Sequence, residues 1–273
     1  MSIRDKIGIC THLNYYNTPY SDFNHVMRAL FHLGIKHIRD GSNDQAFFNK
    51  IISLGQNGIK TTLLIDSRDG WIPEQVPDRI APMIPYLDAI SPPNETDLRQ
   101  DYNPSNKPLT YPLGLKEWHL RLYTALKKDD RTKNIPILAP SIGMVFDSDK
   151  LGLIPCDRGN GHIYFGNNSP NVDTGDFRWR WIEQIRKVCG TNPIVITETG
   201  YQTSSTGISE QLQMEYLIKS LYQLLAETSF ERIFIYELID ETTTNTQESR
   251  YGLLGNDWRH KPSFDALYEF LKC

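Results

Sequence analysis

The stretch Ile194-Val195-Ile196-Thr197-Glu198-Thr199-Gly200 decides the fold, because it is an apolar, β-branched run that ends in a glutamate and a glycine. Such runs favour strands, and the glycine marks the point where the strand gives way to a loop. The run 87–95 has the same form and ends in Ser91-Pro92-Pro93-Asn94-Glu95. Each glutamate is therefore predicted to lie at the end of a strand, with its carboxylate directed out of the sheet.

Strand-like runs recur along the whole chain and alternate with helical periodicity. The predicted strands are 6–14, 35–41, 59–66, 87–95, 135–143, 161–166, 193–200 and 232–240. Helical stripes are predicted at 21–33, 115–128, 177–188, 210–230 and 263–272. The third and fifth helices are predicted to be weak, because prolines dilute 73–85 and because 147–154 allows only one or two turns.

Eight strand–helix units in order, without a linker or a shift in composition, predict the α/β class and a single (β/α)8 TIM barrel domain over residues 1–273. A doubly wound open sheet is the alternative. That fold usually carries a glycine-rich first turn, whereas the loop after the first predicted strand reads Thr11-His12-Leu13-Asn14-Tyr15-Tyr16. The barrel is therefore the favoured prediction.

Composition narrows the class of partner. The chain of 273 residues carries a net charge of −4, so it offers no basic face for nucleic acid or for anionic lipid. No apolar run approaches the length that spans a membrane, and the N-terminal Met-Ser-Ile-Arg-Asp-Lys has no hydrophobic signal core. We expect a monomer with a neutral partner, either intracellular or exported by signals outside this chain. Cys10 is expected to be a buried thiol.

Polar side chains concentrate at the carboxyl ends of the predicted strands, where barrel enzymes place their active sites. They are His12, Asn14, Arg39, Asp40, Asp66, Asn94, Glu95, Ser141, His162, Tyr164, Glu198, Glu237, Asp240 and Glu241. Packing alone would favour Val, Ile and Leu at such positions, so the pattern predicts a functional site. Neither a metal nor an organic cofactor is expected, because zinc sites on barrels need clustered histidines and His12 stands alone in its loop.

Asn94-Glu95 after the fourth predicted strand, together with Glu198 after the seventh, is similar to clan A of the glycoside hydrolases, which are retaining (β/α)8 enzymes. Arg39, His162-Ile163-Tyr164 and the run 236–241 also look like that clan, and the likeness covers essentially the whole chain. The chain departs from the clan in two ways. The run 236–241 has no tryptophan, and Asn-Glu is followed by Thr rather than Pro. Both departures concern substrate identity rather than the reacting groups.

The resemblance implies a retaining β-glycosidase that hydrolyses an oligo- or polysaccharide by double displacement, with Glu95 as general acid/base and Glu198 as nucleophile. Arg39 and Tyr164 would hold Glu198 ionised, and Asn94 would bind the sugar 2-hydroxyl. Further candidate substrate contacts, from their places at strand ends and in loops, are His162, His12, Glu237, Trp71, Tyr201 and Trp258. Aromatic loops of moderate length favour endo-acting polysaccharide degradation, and this substrate class makes extracellular or periplasmic action plausible.

Each candidate residue also has a structural interpretation. Glu198 could close the sheet in an ion pair, Glu95 could cap a loop, and Arg39 could pair with Asp40 or Asp66. His12 and His162 could be hydrogen-bonded core histidines. Two other functions stay open from the sequence: a carbohydrate-binding barrel without turnover, and a transglycosylase that passes the same glycosyl–enzyme intermediate to a sugar.

Overall fold

The computed structural model describes residues 2–98, 109–172, 174–242 and 245–272. The strands are β1 (Ile7–Cys10), β2 (His37–Asp40), β3 (Lys60–Leu64), β4 (Leu87–Ser91), β5 (Gly159–His162), β6 (Ile194–Thr199) and β7 (Phe230–Ile235). The α-helices are α1 (Ile3–Lys6), α2 (Phe23–Leu33), α3 (Gln45–Gln56), α4 (Val76–Arg79), α5 (Leu113–Lys128), α6 (Ser148–Leu151), α7 (Gly175–Phe177), α8 (Gln184–Cys189), α9 (Glu210–Ala226) and α10 (Pro262–Phe270).

Shorter helical turns lie between these elements. Turns of 3-10 helix cover Pro19–Ser21, Ser67–Asp69, Pro73–Gln75, Ala81–Tyr86, Val145–Asp147 and Glu248–Arg250, and a π-helical segment covers Arg178–Glu183. The two helices predicted to be weak, at 73–85 and 147–154, form only short helical turns in the structure. Their prolines and their short length predicted this. Within the ranges given above, no helix combines the length and the apolar character needed to cross a bilayer.

The strands form one seven-stranded parallel sheet in the order β4-β3-β2-β1-β7-β6-β5. Within the part of the chain that the structure describes, this sheet is open and has β4 and β5 at its two ends. The prediction of a closed, eight-stranded TIM barrel is therefore wrong. Seven of the eight predicted strands are present, and the missing one is the fifth, predicted at 135–143.

The fifth predicted strand does not form a regular strand, and its sequence explains why. Segment 135–143 makes only isolated bridges, Ile90↔Ile137 and Leu138↔Arg158, instead of a continuous ladder. Pro136 and Pro140 interrupt the segment, and proline has no backbone N–H to donate to a neighbouring strand. The carbonyl of Pro136 still accepts a hydrogen bond from the Ile90 N–H at 2.8 Å. The segment is thus extended and bridged without being a regular strand.

The described residues group into two compact units. The first unit consists of Met1–Arg39, Ile163–Thr174 and Ile196–Cys273, and the second of Asp40–His162 and Gly175–Val195. One catalytic domain over residues 1–273 stays a prediction.

In the first unit, β1 pairs in parallel with β7, and the register is Ile7↔Ile233, Gly8↔Phe234 and Ile9↔Ile235. Gly8 is required there, because a Cβ atom at this position would lie 2.4 Å from the ring of Phe234. Helix α2 begins where Asp22 accepts a hydrogen bond from the His25 N–H and ends at Gly34, whose φ is 69°. The helix predicted at 21–33 is confirmed over Phe23–Leu33.

In the second unit, β3 and β4 pair in parallel with a register shift between Thr61 and Thr62. Helix α3 buries Phe47, Phe48, Ile51 and Leu54, and helix α5 buries Leu115, Trp118, His119, Leu122 and Leu126. Both helices present an apolar stripe to their own unit; the helix predicted at 115–128 is confirmed by α5, whereas no stripe was predicted over α3.

His119, fully buried on α5, makes the stability of the second unit depend on pH. Burial lowers the pKa of its imidazole from 6.5 to about 4, and its Nε2 lies 2.6 Å from the Pro155 carbonyl oxygen. Because the unfolded chain binds this proton below pH 6.5 while the folded chain does not, stability is complete above 6.5 and is lost as pH falls towards 4. The full loss from this one group is about 3 kcal/mol.

We expect His119→Gln to reduce this dependence, because glutamine can still donate to a carbonyl but does not titrate. The measurement is urea unfolding of both proteins at several pH values between 7 and 4. The free energy of unfolding should fall less steeply with acid in the variant, and parallel curves would contradict the assignment.

Candidate active site

Glu198 lies near the carboxyl end of β6 in the first unit, and both of its carboxylate oxygens are held. Nη1 of Arg39, on β2, donates to Oε1 at 2.6 Å, and the hydroxyl of Tyr164 donates to Oε2 at 2.9 Å. Glu198 is 8% exposed and Arg39 is 5% exposed, so the ion pair is buried. The guanidinium on one oxygen and the phenol on the other fix this buried carboxylate in one orientation through charge-assisted hydrogen bonds.

The partners of Glu198 are themselves held in the form that stabilises its charge. Burial acts to lower the pKa of Arg39, but the Glu198 carboxylate outweighs this effect and the pKa lies above its ordinary value. Burial, and then the charge of Glu198, raises the pKa of Tyr164 well above 10.0, so the phenol keeps its proton and stays a donor. Arg39 thus forms a close ion pair with Glu198.

In the second unit, Glu95 follows β4 and pairs with His162, the last residue of β5. The Glu95 Oε1 atom lies 2.6 Å from His162 Nδ1. Glu95 also has a φ of 44°, in the left-handed region that residues with a Cβ rarely adopt. Such conformations cost about 1–3 kcal/mol and concentrate at functional sites, so this backbone favours a functional interpretation of Glu95 over a simple loop cap.

A small hydrogen-bond network holds the loop that carries Glu95. The Asn94 N–H donates to Asp66 Oδ2 at 3.1 Å, and Asp66 is fixed in turn by an ion pair with Arg68. The hydroxyl of Ser141 donates to Asn94 Oδ1 at 3.2 Å and accepts from the Glu95 N–H at 3.3 Å. The prediction that Asn94 binds a sugar hydroxyl stays open, and the structure shows how its side chain is oriented.

His12 and Glu237 come together in the first unit with Glu241, another of the polar residues at the predicted strand ends, and with Tyr20, which was not predicted as a site residue. Tyr20 donates its hydroxyl to Glu237 Oε2 at 3.0 Å. His12 Nε2 lies 3.3 Å from Glu237 Oε2 and 3.7 Å from Glu241 Oε1. Glu237 is completely buried. A histidine and two glutamates therefore share one small volume beyond the ends of β1 and β7.

Burial changes the ionisation of this cluster. Burial, and then the charge of Arg39, lowers the pKa of His12 to about 3, so the imidazole is neutral at neutral pH. Burial also raises the pKa of Glu241 to about 7, with a contribution from the charge of Glu248. The pKa of Glu237 is raised well above its ordinary value, first by burial and then by the charge of Glu241. The histidine is therefore no counter-ion for the two carboxyl groups.

The three aromatic candidates lie in different surroundings. Trp71 is 5% exposed and packs on Phe48, with ring centroids 6.0 Å apart, in the second unit. Tyr201 is 2% exposed, and its hydroxyl donates to the Asn168 carbonyl at 3.2 Å. Trp258 has a φ of 68° and stacks on His25 with ring centroids 4.3 Å apart. Trp71 and Tyr201 thus have their ring faces covered, and a sugar-binding role for these three residues stays a prediction.

Asp240, another polar residue of the last predicted strand end, belongs to a buried ionic network. Its Oδ1 accepts from Lys261 Nζ at 2.8 Å and from the Gly252 N–H at 2.9 Å, and Arg250 lies 3.2 Å from Oδ2. Lys261 is 1% exposed, and burial lowers the pKa of its ammonium group while Asp240 opposes this shift. The network ties the segment after β7 to the start of α10.

We expect Asp240→Asn to lower the free energy of unfolding by about 3 kcal/mol, because it leaves the buried Lys261 without its charged partner. Glu269→Gln is the matched control, since its pair with Lys272 is exposed and worth at most about 1 kcal/mol. Denaturant unfolding of both variants measures the difference. Equal losses would show that the buried pair is no more important than the surface pair.

Proteins with a similar fold are found among solved structures. No known family profile matches the chain, and no curated protein sequence matches it. Among solved structures, a GH2 β-galacturonidase from Eisenbergiella tayi matches with a TM-score of 0.69 and 17% identity, over 98% of this chain and 51% of its own. A family 39 glycoside hydrolase from Bacteroides cellulosilyticus WH2 matches with a TM-score of 0.72 and 16% identity, over 98% of this chain and 64% of its own. A β-glucuronidase from Ruminococcus gnavus matches with a TM-score of 0.68 and 15% identity, over 97% and 49%.

The fold is that of glycoside hydrolases. At 15–17% identity the likeness concerns the fold, and the narrower assignment to clan A stays a prediction. The chain spans about half the length of the galacturonidase and the glucuronidase and 64% of the family 39 structure.

Proposed function

We propose that this protein is a retaining glycoside hydrolase that cleaves β-linked oligo- or polysaccharides, with Glu198 as nucleophile and Glu95 as general acid/base. The observation that carries the proposal is the environment of Glu198. A carboxylate that attacks an anomeric carbon must be ionised and fixed in orientation, and Arg39 at 2.6 Å with Tyr164 at 2.9 Å supports both properties. The glycoside hydrolase fold agrees with this chemistry.

The proposed reaction has two displacements. In the first, a Glu198 oxygen forms a bond to the anomeric carbon while the bond to the leaving oxygen breaks, and the Glu95 carboxylic acid gives its proton to that oxygen. In the second, Glu95 takes a proton from water as the water oxygen attacks the anomeric carbon and releases Glu198. Protons and electron pairs balance over the cycle without a cofactor. The net result is hydrolysis with retention of the anomeric configuration.

The surroundings of Glu95 support its part in this cycle. Its carboxyl group lies 2.6 Å from His162 Nδ1. A hydrogen bond to His162 can therefore stabilise Glu95 both as the carboxylic acid and as the carboxylate. Ser141 and Asp66 hold the backbone of the same loop, which limits the positions open to the carboxyl group. Arg39 and Tyr164 have positioning roles in the proposal, and His162 has the same role for the acid.

The polysaccharide panel that tests the proposal should contain β-linked glucans, galactans, xylans, mannans and bacterial exopolysaccharides. Uronic acid-containing substrates belong in it, because solved structures of this fold include a β-galacturonidase and β-glucuronidases. The measurement is reducing-end release by wild type and by Glu198→Gln, followed by the lengths of the products. Short and intermediate products together would support the endo-acting mode, and single sugars would support an exo-acting mode.

The same panel separates the alternatives. Reducing-end release by the wild type alone, with the product first formed in the β configuration by NMR, supports the proposal. Initial release of the α anomer would overturn the retaining mechanism. Binding of a panel member without cleavage would favour a carbohydrate-binding protein, and longer products without net release would favour a transglycosylase.

A further inference from the structure

The cluster formed by His12, Glu237 and Glu241 in the first unit has the composition of a metal site. One imidazole nitrogen and two carboxylate oxygens lie within 4.8 Å of one another. Imidazole and carboxylate together are ligands that Zn²⁺ accepts readily, whereas Mg²⁺ and Ca²⁺ favour oxygen ligands alone. The sequence offers no such pattern around His12, because the two glutamates come from a segment more than two hundred residues away.

Two atoms of the cluster lack the hydrogen bond that a buried polar atom needs. His12 Nε2 and Glu237 Oε1 are both buried, and neither has a hydrogen-bond partner among the described residues. His12 Nε2 is 3.3 Å from Glu237 Oε2 but is not aligned for a hydrogen bond to it. Glu237 has no exposed surface at all. Since unsatisfied buried polar atoms are costly, this arrangement points to a ligand that the two residues share.

The spacing of the atoms favours a tetrahedral ion. A tetrahedral ion with bonds of about 2.1 Å sets its ligand atoms about 3.4 Å apart, whereas octahedral Mg²⁺ sets adjacent ligands about 2.9 Å apart. The separations from His12 Nε2 are 3.3 Å to Glu237 Oε2 and 3.7 Å to Glu241 Oε1. These values lie near the tetrahedral spacing without any rearrangement of the backbone.

Aromatic side chains fix the orientation of the cluster. The His12 ring stacks on Tyr15 at 4.5 Å and meets the edges of Tyr20 and Tyr236 at 5.7 and 5.6 Å. The Tyr20 hydroxyl also holds Glu237 Oε2. Arg39, whose charge acts on His12, is already paired with Glu198. The Tyr20 hydrogen bond is the kind of outer partner that orients a ligand of a metal ion, and the stacked rings limit the rotation of the His12 imidazole.

We propose that His12, Glu237 and Glu241 bind a zinc-like divalent cation, with the fourth coordination position open to water or to a substrate oxygen. This role differs from the predicted direct contact of His12 and Glu237 with the sugar. It is also independent of the hydrolysis proposed for Glu95 and Glu198, because an ion can bind whether or not the protein turns over a glycoside.

The test is calorimetric titration of the metal-free protein with Zn²⁺, together with the change in melting temperature. Glu241→Gln replaces one carboxylate ligand by a neutral amide at a partly exposed position. Glu248→Gln is the matched control, because it removes the same charge from an exposed residue whose field acts on Glu241. We expect one Zn²⁺ per chain in wild type and in the control, at least a tenfold weaker affinity in Glu241→Gln, and little response to Mg²⁺.

Cobalt provides a second readout that does not depend on affinity. Co²⁺ in a tetrahedral site absorbs visible light far more strongly than octahedral Co²⁺, so wild type should show intense visible bands that Glu241→Gln lacks. Exposed pairs such as His25 with Asp22 and His260 with Asp265 could bind zinc weakly. Equal binding by wild type and Glu241→Gln would place the ion outside this cluster and overturn the proposal, as would the absence of binding.

Discussion

Replacing Glu198 with glutamine is expected to lower kcat/KM by roughly 10⁵-fold on any substrate that the wild type hydrolyses. The amide has nearly the same shape as the carboxylate but cannot form the glycosyl–enzyme bond, so the first displacement has no nucleophile. A loss of this size corresponds to about 7 kcal/mol of transition-state stabilisation. Initial rates with wild type and variant, at substrate concentrations well below KM, measure it directly.

Two controls separate chemistry from folding in this experiment. Glu215→Gln makes the same chemical change on the exposed surface of α9 in the same unit and should leave kcat/KM unchanged. Glu198→Ala opens space beside Arg39, and added azide should then restore activity on activated glycosides by taking the place of the missing carboxylate. Undiminished activity in Glu198→Gln would show that this glutamate is structural, and the assignment of the nucleophile would fail.

Seven of the eight strands, and most of the helices, could be predicted because each depends on local sequence. The apolar run Ile194–Thr199 indicates a strand by itself, and the amphipathic periodicity of Phe23–Leu33 indicates a helix. Gly34 marks the end of that helix. The error was in the fifth strand. Its apolar run resembles the others, but its two prolines remove the N–H groups of a ladder, and the prediction gave the run more weight than the prolines.

The polar partners of the site could be predicted only in part. Glu198 with Arg39 and Tyr164 followed from a resemblance that places each residue at a strand end, and the structure brings these three together. Tyr20 could not be predicted from the sequence, because it lies in a 3-10 turn and reaches Glu237 across 217 positions of the chain. Contacts of that kind depend on the register of distant elements, which no local pattern records.

The surroundings of His12 show why a search for metal motifs fails here. Zinc motifs in sequences rely on ligands at short, fixed spacing, usually on one turn or one hairpin. His12 follows β1, whereas Glu237 and Glu241 follow β7, and the parallel pairing of these two strands joins them. The sequence correctly showed a lone histidine, and the fold supplies the neighbouring carboxylates.

Replacing Glu95 with glutamine or alanine is expected to produce a loss that depends on the leaving group. On natural glycosides, whose leaving oxygen is strongly basic, kcat/KM should fall about 10²–10⁴-fold, because the general acid no longer protonates that oxygen. On dinitrophenyl glycosides the leaving group departs without a proton, so the first displacement should be nearly unaffected. The second displacement still needs a general base, and the glycosyl–enzyme intermediate should therefore accumulate.

The measurement is a comparison of kcat/KM for wild type and variant across aryl glycosides of graded leaving-group pKa, with burst kinetics on the most reactive. Glu95→Gln is the primary variant because it keeps a side chain of the same size at a backbone position whose φ is 44°. Glu74→Gln, at an exposed ion pair of the same unit, is the matched control and should show no dependence on the leaving group. An equal loss on natural and activated glycosides would mean that Glu95 orients the substrate or the loop rather than transferring the proton.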